Sequence, residues 1–122
     1  PDRKSGAFLG VYESDVSEQY FPYAMPQEHG NHCDTRWVRL QGRRVVEFRF
    51  IDRPGAFTAT QYDCHKMTHA RHTHDLDAEP FTFLHLDFAN APLGSASVGP
   101  GPLPDYCIAP AVHAWSYILT LV

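Results

Sequence analysis

Hydrophobic and polar residues alternate with period two over several short runs of this chain, the pattern of strands that bury one face. From Asp34 onward, Arg36, Val38 and Leu40 fall on one side and Thr35, Trp37 and Arg39 on the other. Over residues 45–51, Val46, Phe48 and Phe50 alternate with Val45, Glu47, Arg49 and Ile51, and Gln41-Gly42-Arg43 supplies a hairpin connection into that run. Pro54-Gly55 marks the next turn, followed by a strand over 57–62. Residues 81–88 set Leu84, Leu86 and Phe88 against Phe83, His85 and Asp87, and residues 114–121 place Trp115, Tyr117, Leu119 and Leu121 on one face. Nearer the start, Phe8, Leu9, Val11 and Tyr12 among polar neighbours predict one short strand and a loop. Residues 20–24 form a second candidate strand, stopped by Pro22 and Pro26, which cannot donate to a ladder. Residues 63–72 lose the alternation, and Asp63 is placed to cap a single helical turn. Seven or eight short strands joined by turns predict an all-β fold, an antiparallel β-sandwich, with residues 1–122 as a single domain.

Composition agrees with that class. The 122 residues include ten prolines and eight glycines, which favour turns and short elements over long helices. Aromatic residues at 13% and charged residues at 20% exclude a disordered tail. The net charge of −4 is unevenly spread: residues 62–122 carry two basic and six acidic side chains against eight of each in residues 1–61. Neither half offers the basic face that nucleic-acid binding needs, so no nucleic-acid partner is expected. No apolar run approaches the ~20 residues of a membrane helix, and no membrane partner is expected. Cys33, Cys64 and Cys107 are odd in number and widely spaced, with no C-x-x-C pair, so a reducing, cytoplasmic compartment is the simplest home. The opening Pro1-Asp2-Arg3-Lys4 lacks an initiator methionine and reads as a cut from something longer.

Candidate chemistry is sparse. Cys64, His65, His69, His72 and His74 lie within eleven residues, and thiolate plus imidazole is a usable metal set. Their spacing matches no zinc pattern, however, and structural histidines are the better reading, so no metal or other cofactor is expected. Glu13, Glu18, Glu28, Glu47 and Glu79 scatter over different elements, and Glu28 reads as a turn-closing carboxylate. Ser95 and Ser97 have no nucleophile elbow around them. Trp37, Tyr62, Tyr106 and Trp115 are candidate sugar platforms, yet each alternates in phase with a core face, which favours burial. The run 90–105, rich in Gly, Ser, Pro and Ala, is the longest without strand pattern, and loops of that length are usually functional or linkers.

The densest run of constrained positions is Pro22-Tyr23-x-x-Pro26-Gln27-Glu28-x-Gly30-Asn31-x-x-Asp34-x-Arg36-Trp37. Together with Pro1-Asp2-Arg3-Lys4, His72-Thr73-His74-Asp75-Leu76, Leu84-His85-Leu86-Asp87 and Pro104-Asp105-Tyr106, it resembles the C-terminal small-chain region of glycoside hydrolase family 2 β-galactosidases. The resemblance covers nearly the whole chain. It implies roughly the second half of a galactose-mutarotase-like supersandwich, with the catalytic glutamates in a separate barrel domain. It also implies a loop that lends a tryptophan to the sugar site, in a segment like Gly-Gly-Asp-Asp-Ser-Trp-x-Pro. Here that stretch is Leu93-Gly94-Ser95-Ala96-Ser97-Val98-Gly99-Pro100: both aspartates are missing, Ser97 keeps register, and Val98 stands at the tryptophan position. The resemblance therefore implies no catalytic residue in this chain, with Ser97 and Val98 at the rim of the sugar site. Its expected partners are the remaining domains of a parent glycosidase. A half-supersandwich also leaves strand edges open, which predicts self-association. The alternative is a free-standing carbohydrate-binding module that takes a carbohydrate ligand on exposed aromatics.

Overall fold

The computed structural model describes residues 3–5, 9–90 and 99–122. Seven strands occur among them: β1 (Arg3–Ser5), β2 (Asn31–Thr35), β3 (Trp37–Gln41), β4 (Val45–Phe50), β5 (Gly55–Thr60), β6 (Phe83–Asp87) and β7 (Tyr117–Leu121). One short helix, α1 (Cys64–His69), and three 3₁₀ turns complete the regular structure. The strands form a four-stranded sheet in the order β1–β2–β5–β6 and a three-stranded sheet in the order β3–β4–β7. Every pair is antiparallel except β1–β2, which is parallel. The all-β expectation therefore holds.

Three local expectations change. Residues 9–12, expected with Phe8 to supply a short strand, form none, and Phe8 lies outside the described residues. The alternation from Asp34 to Leu40 suggested one continuous strand, but the chain passes there from one sheet to the other. Asp34 adopts a left-handed backbone with φ 55, and the β2–β5 register shifts between His32 and Thr35. The Thr35 hydroxyl donates to the His32 carbonyl at 3.2 Å across that bulge. A bulge bends its strand and redirects the residues beyond it, so β3 can leave for the second sheet. Residues 20–24 are not a strand. A 3₁₀ turn at Val16–Gln19 precedes them, and Pro22 and Pro26 deny the backbone donors a ladder would need.

In the three-stranded sheet the register aligns Leu40, Val46 and Leu121, then Val38, Phe48 and Leu119, with Phe50 opposite Tyr117. The reverse face carries Arg39, Glu47 and Thr120 in line, where the Glu47 carboxylate takes hydrogen bonds from both Arg39 and Arg49. Those two guanidinium groups, through their hydrogen bonds first, hold the Glu47 carboxyl below its usual range. On the apolar face Phe50 is 7% exposed, and its ring lies against Gly55 at the start of β5. A Cβ at residue 55 would come within 2.5 Å of Phe50 Cε1, so the close approach of the two sheets depends on glycine there. Trp115 stacks on Phe50 with ring centroids 5.4 Å apart.

Candidate functional site

In the four-stranded sheet, β5 and β6 pair Phe57 with Leu86 and Ala59 with Leu84 on one face, and Thr58 with His85 and Ala56 with Asp87 on the other. A strand face that turns polar side chains inward needs partners for each of them. Helix α1 and the 28–31 segment come over this face and border a partly open cavity of about 110 Å³. Glu28, His29, Asn31, Thr58, Thr60, Cys64, Met67, His85, Asp87 and Asn90 line it.

Each covering element has a local cause. Gly30 adopts φ 73, and a Cβ there would sit 3.2 Å from the Gln19 carbonyl oxygen, so the turn that brings Glu28 and His29 to the cavity requires glycine. A six-residue helix such as α1 is too short to persist alone. It is held at its start by Asp63, whose carboxylate accepts the His65 and Lys66 amides at 2.7 and 3.4 Å. Met67 and Ala70, both buried, fasten its inner side, and Lys66 pairs with Glu79. The capping role expected of Asp63 is what the structure shows.

The cavity centres on Asn31. Its Nδ2 donates to Thr58 Oγ1 at 3.1 Å and to Asp87 Oδ2 at 3.0 Å, while its Oδ1 accepts from Asn90 Nδ2 at 2.9 Å and from the Cys33 thiol at 3.4 Å. All four hydrogen-bonding positions of this amide are engaged, so its orientation is locked. Asp87 is raised above the ordinary carboxylate range, chiefly because it is desolvated, with Glu28 adding repulsion and His85 and Asn31 opposing the rise. Tyr20, packed edge-on against His29 and tilted against Tyr62, is likewise raised by burial first and by Tyr62 second. His29 is 7% exposed, its Nδ1 lies 2.9 Å from the Gln27 carbonyl oxygen, and its Nε2 is buried without a hydrogen-bond partner among the described residues.

Little of this cavity is visible in the sequence. Glu28 lines it and, among the described residues, accepts no hydrogen bond, so it does not close the turn; Gly30 does that. The usable signal lies in the strand alternation, which sets Thr58 and Thr60 on β5, and His85 and Asp87 on β6, to one face. The histidine group divides. His65 and His69 sit on exposed positions of α1, while His72 caps and His74 lies within an exposed 3₁₀ turn, their rings stacked 5.1 Å apart. Among the described residues, the ligand atoms of His72, His74 and Asp75 converge within 4.8 Å. Asp75 already accepts the Arg71 and His72 amides at 3.0 Å, bonds that hold its carboxyl below the usual range, so it serves the turn. Trp37, Tyr62 and Trp115 are half-buried, in keeping with core packing over an open sugar platform. Ser97 and Val98, the expected rim residues, and Ser95 lie outside the described residues. No helix among the described residues is long and apolar enough to cross a membrane.

A second, wider cavity of about 440 Å³ lies between segment 9–19 and strands of both sheets, with Val38 and Leu40 from one and Phe57 and Ala59 from the other.

Comparison with known proteins gives a consistent result. A family model described as "Beta galactosidase small chain" matches residues 1–121. A β-galactosidase of Arthrobacter sp. (strain B7) is 32% identical over 116 residues, covering 90% of this chain and 11% of the relative. A β-galactosidase of Streptococcus thermophilus is 30% identical over 106 residues, covering 85% and 10%. A β-galactosidase of Kluyveromyces lactis is 32% identical over 107 residues, covering 87% and 10%. The chain thus spans about a tenth of the length of the curated relatives it matches.

Proposed function

The chain belongs to the β-galactosidase small-chain family, and from that premise we propose that it is a non-catalytic β-sandwich portion of a β-galactosidase-like glycosidase of family 2. Its parent would hydrolyse terminal β-galactosides, with the catalytic glutamates elsewhere on the parent. The observation that carries this reading is the match to about a tenth of each relative named β-galactosidase. One such portion contributes surface and support to a larger enzyme. The galactose-mutarotase-like supersandwich is part of the same proposal, with this chain as roughly its second half.

The sheet geometry supports a packing role. Along β7 the apolar face is open: Tyr117 is 46%, Leu119 51% and Leu121 67% exposed, in register with the buried Phe50 and with Phe48 and Val46. Open aliphatic surface of that kind, beside residues already buried, is what a domain interface leaves when its partner is absent. We propose the remaining domains of the parent as that partner. Ser97 and Val98 are proposed at the rim of the parent's sugar site, where Val98 supplies no aromatic platform. The three cysteines are all free, which suits the cytoplasmic location proposed for the parent.

Hydrolysis of a chromogenic β-galactoside tests the reading. The purified 122-residue chain turns over none, whereas the parent enzyme does, and Val98→Trp in the parent lowers KM for that substrate. Turnover by the isolated chain would sink the proposal.

A further inference from the structure

His29 presents a specific deficit. A carbonyl oxygen only accepts, so the 2.9 Å contact with Gln27 puts the proton of the neutral ring on Nδ1 and leaves a lone pair on Nε2. Among the described residues that Nε2 is buried and unpartnered, on a side chain 7% exposed that borders the polar cavity. The cavity, at about 110 Å³, is far larger than the roughly 10–15 Å³ that one water requires.

The walls define what would fit. Acceptors come from His29 Nε2 and from the carboxylates of Glu28 and Asp87. Donors come from Thr58 and Thr60, and the His85 ring and the Asn90 amide, which also line the cavity, add to them. Thr58 Oγ1 accepts from Asn31 and Thr60 Oγ1 accepts from the Tyr62 amide, and among the described residues neither hydroxyl donates to an acceptor. A bare ammonium would satisfy the acceptors and leave both hydroxyls unmet; an anion would do the reverse and face two carboxylates. A metal ion needs its ligand atoms about 2.0–2.6 Å from one point. Among the described residues only His72, His74 and Asp75 bring three such atoms within 4.8 Å of one another, and none of them borders the cavity. Hydroxyl groups both donate and accept, several on one small skeleton can reach groups this widely spaced, and Met67 and Cys64 offer a surface for its C–H face.

We propose that this cavity, between β5–β6 and the α1 and 28–31 segments, binds a small neutral polyhydroxylated molecule of monosaccharide size through His29, Glu28, Asp87, Thr58 and Thr60. The proposal stands apart from the packing role above, because it concerns the polar face of the four-stranded sheet and not β7.

The experiment is a titration of the 122-residue chain with D-galactose, D-glucose and myo-inositol, monitored through the imidazole ¹⁵N resonances of His29. Saturable binding of at least one of them is expected, with a shift at Nε2 as a hydroxyl donates to it and little change at Nδ1. Glu28→Gln, on an exposed side chain, and Asp87→Asn, which keeps an oxygen for Asn31, each weaken that binding about tenfold or more, as loss of a charged hydrogen-bond acceptor does. The proposal is overturned by the absence of saturation with all three polyols, which would leave water as the only occupant. Binding that leaves His29 Nε2 unmoved, or methylammonium saturating the same resonances as well as the polyols do, overturns it equally.

Discussion

Single residues in this chain act through the environment their strand gives them, and Asp87 shows how. Its position on β6 puts it opposite Ala56 and beside Asn31, where desolvation raises its carboxyl above the ordinary range. An acid raised on folding binds its proton more tightly in the native state than in the unfolded chain. Its contribution to stability is therefore complete below the usual carboxylate value of about 3.9 and is lost as pH rises through the raised value. Asp87→Asn removes that loss while retaining an oxygen for the Asn31 amide. Urea unfolding of the variant and of the unsubstituted chain between about pH 3 and 7, a range spanning the usual carboxylate value, should show the variant gaining relative stability as pH rises. The gain should be absent at the acid end. A difference independent of pH would refute the assignment.

At the scale of elements, β4 meets β5 where the Phe50 ring lies against Gly55. Gly55→Ala forces a methyl group towards the buried Phe50 ring, which is itself stacked on Trp115 and cannot swing away freely. Overpacking of this kind costs about 1–3 kcal/mol, so chemical denaturation should find the variant less stable by that order, and a neutral result would show that the sheets can shift apart. The strands themselves were legible in the sequence because β3, β4, β6 and β7 each keep period two over five or six residues. The break at Asp34–Arg36 was not, since a left-handed residue and a bulge leave the hydrophobic alternation intact while redirecting the chain. The cavity was half legible. Thr58, Thr60, His85 and Asp87 alternate visibly, but polar residues on one face of a strand look the same whether they meet water or a covering helix. His29 was hidden altogether, because its role depends on Gly30 turning the chain back and on contacts with Tyr20 and Gln27 that no local pattern encodes.

At the scale of the whole molecule, the two sheets are unequally finished. The four-stranded sheet has its polar face covered by α1, whereas the three-stranded sheet ends at β7 with every residue of that strand exposed. Tyr117, Leu119 and Leu121 continue the apolar rows begun by Val38, Phe48 and Phe50, so the open area is the continuation of a core and not scattered surface. An open strand edge next to an apolar face is a template for pairing with another chain. The isolated chain is therefore expected to self-associate, its mass by light scattering rising with concentration, and Leu119→Glu combined with Leu121→Lys should return it to monomer without loss of the β spectrum. Both substituted side chains project from exposed positions, so the double variant retains the buried Val38 and Phe50 contacts on which folding depends. Introduced into the parent glycosidase, the same pair should instead destabilise the enzyme, because on the proposed packing role its own domains cover the face there. A monomer at all concentrations, or a parent indifferent to the two charges, would show that this face has no partner and that the packing role assigned to it is wrong.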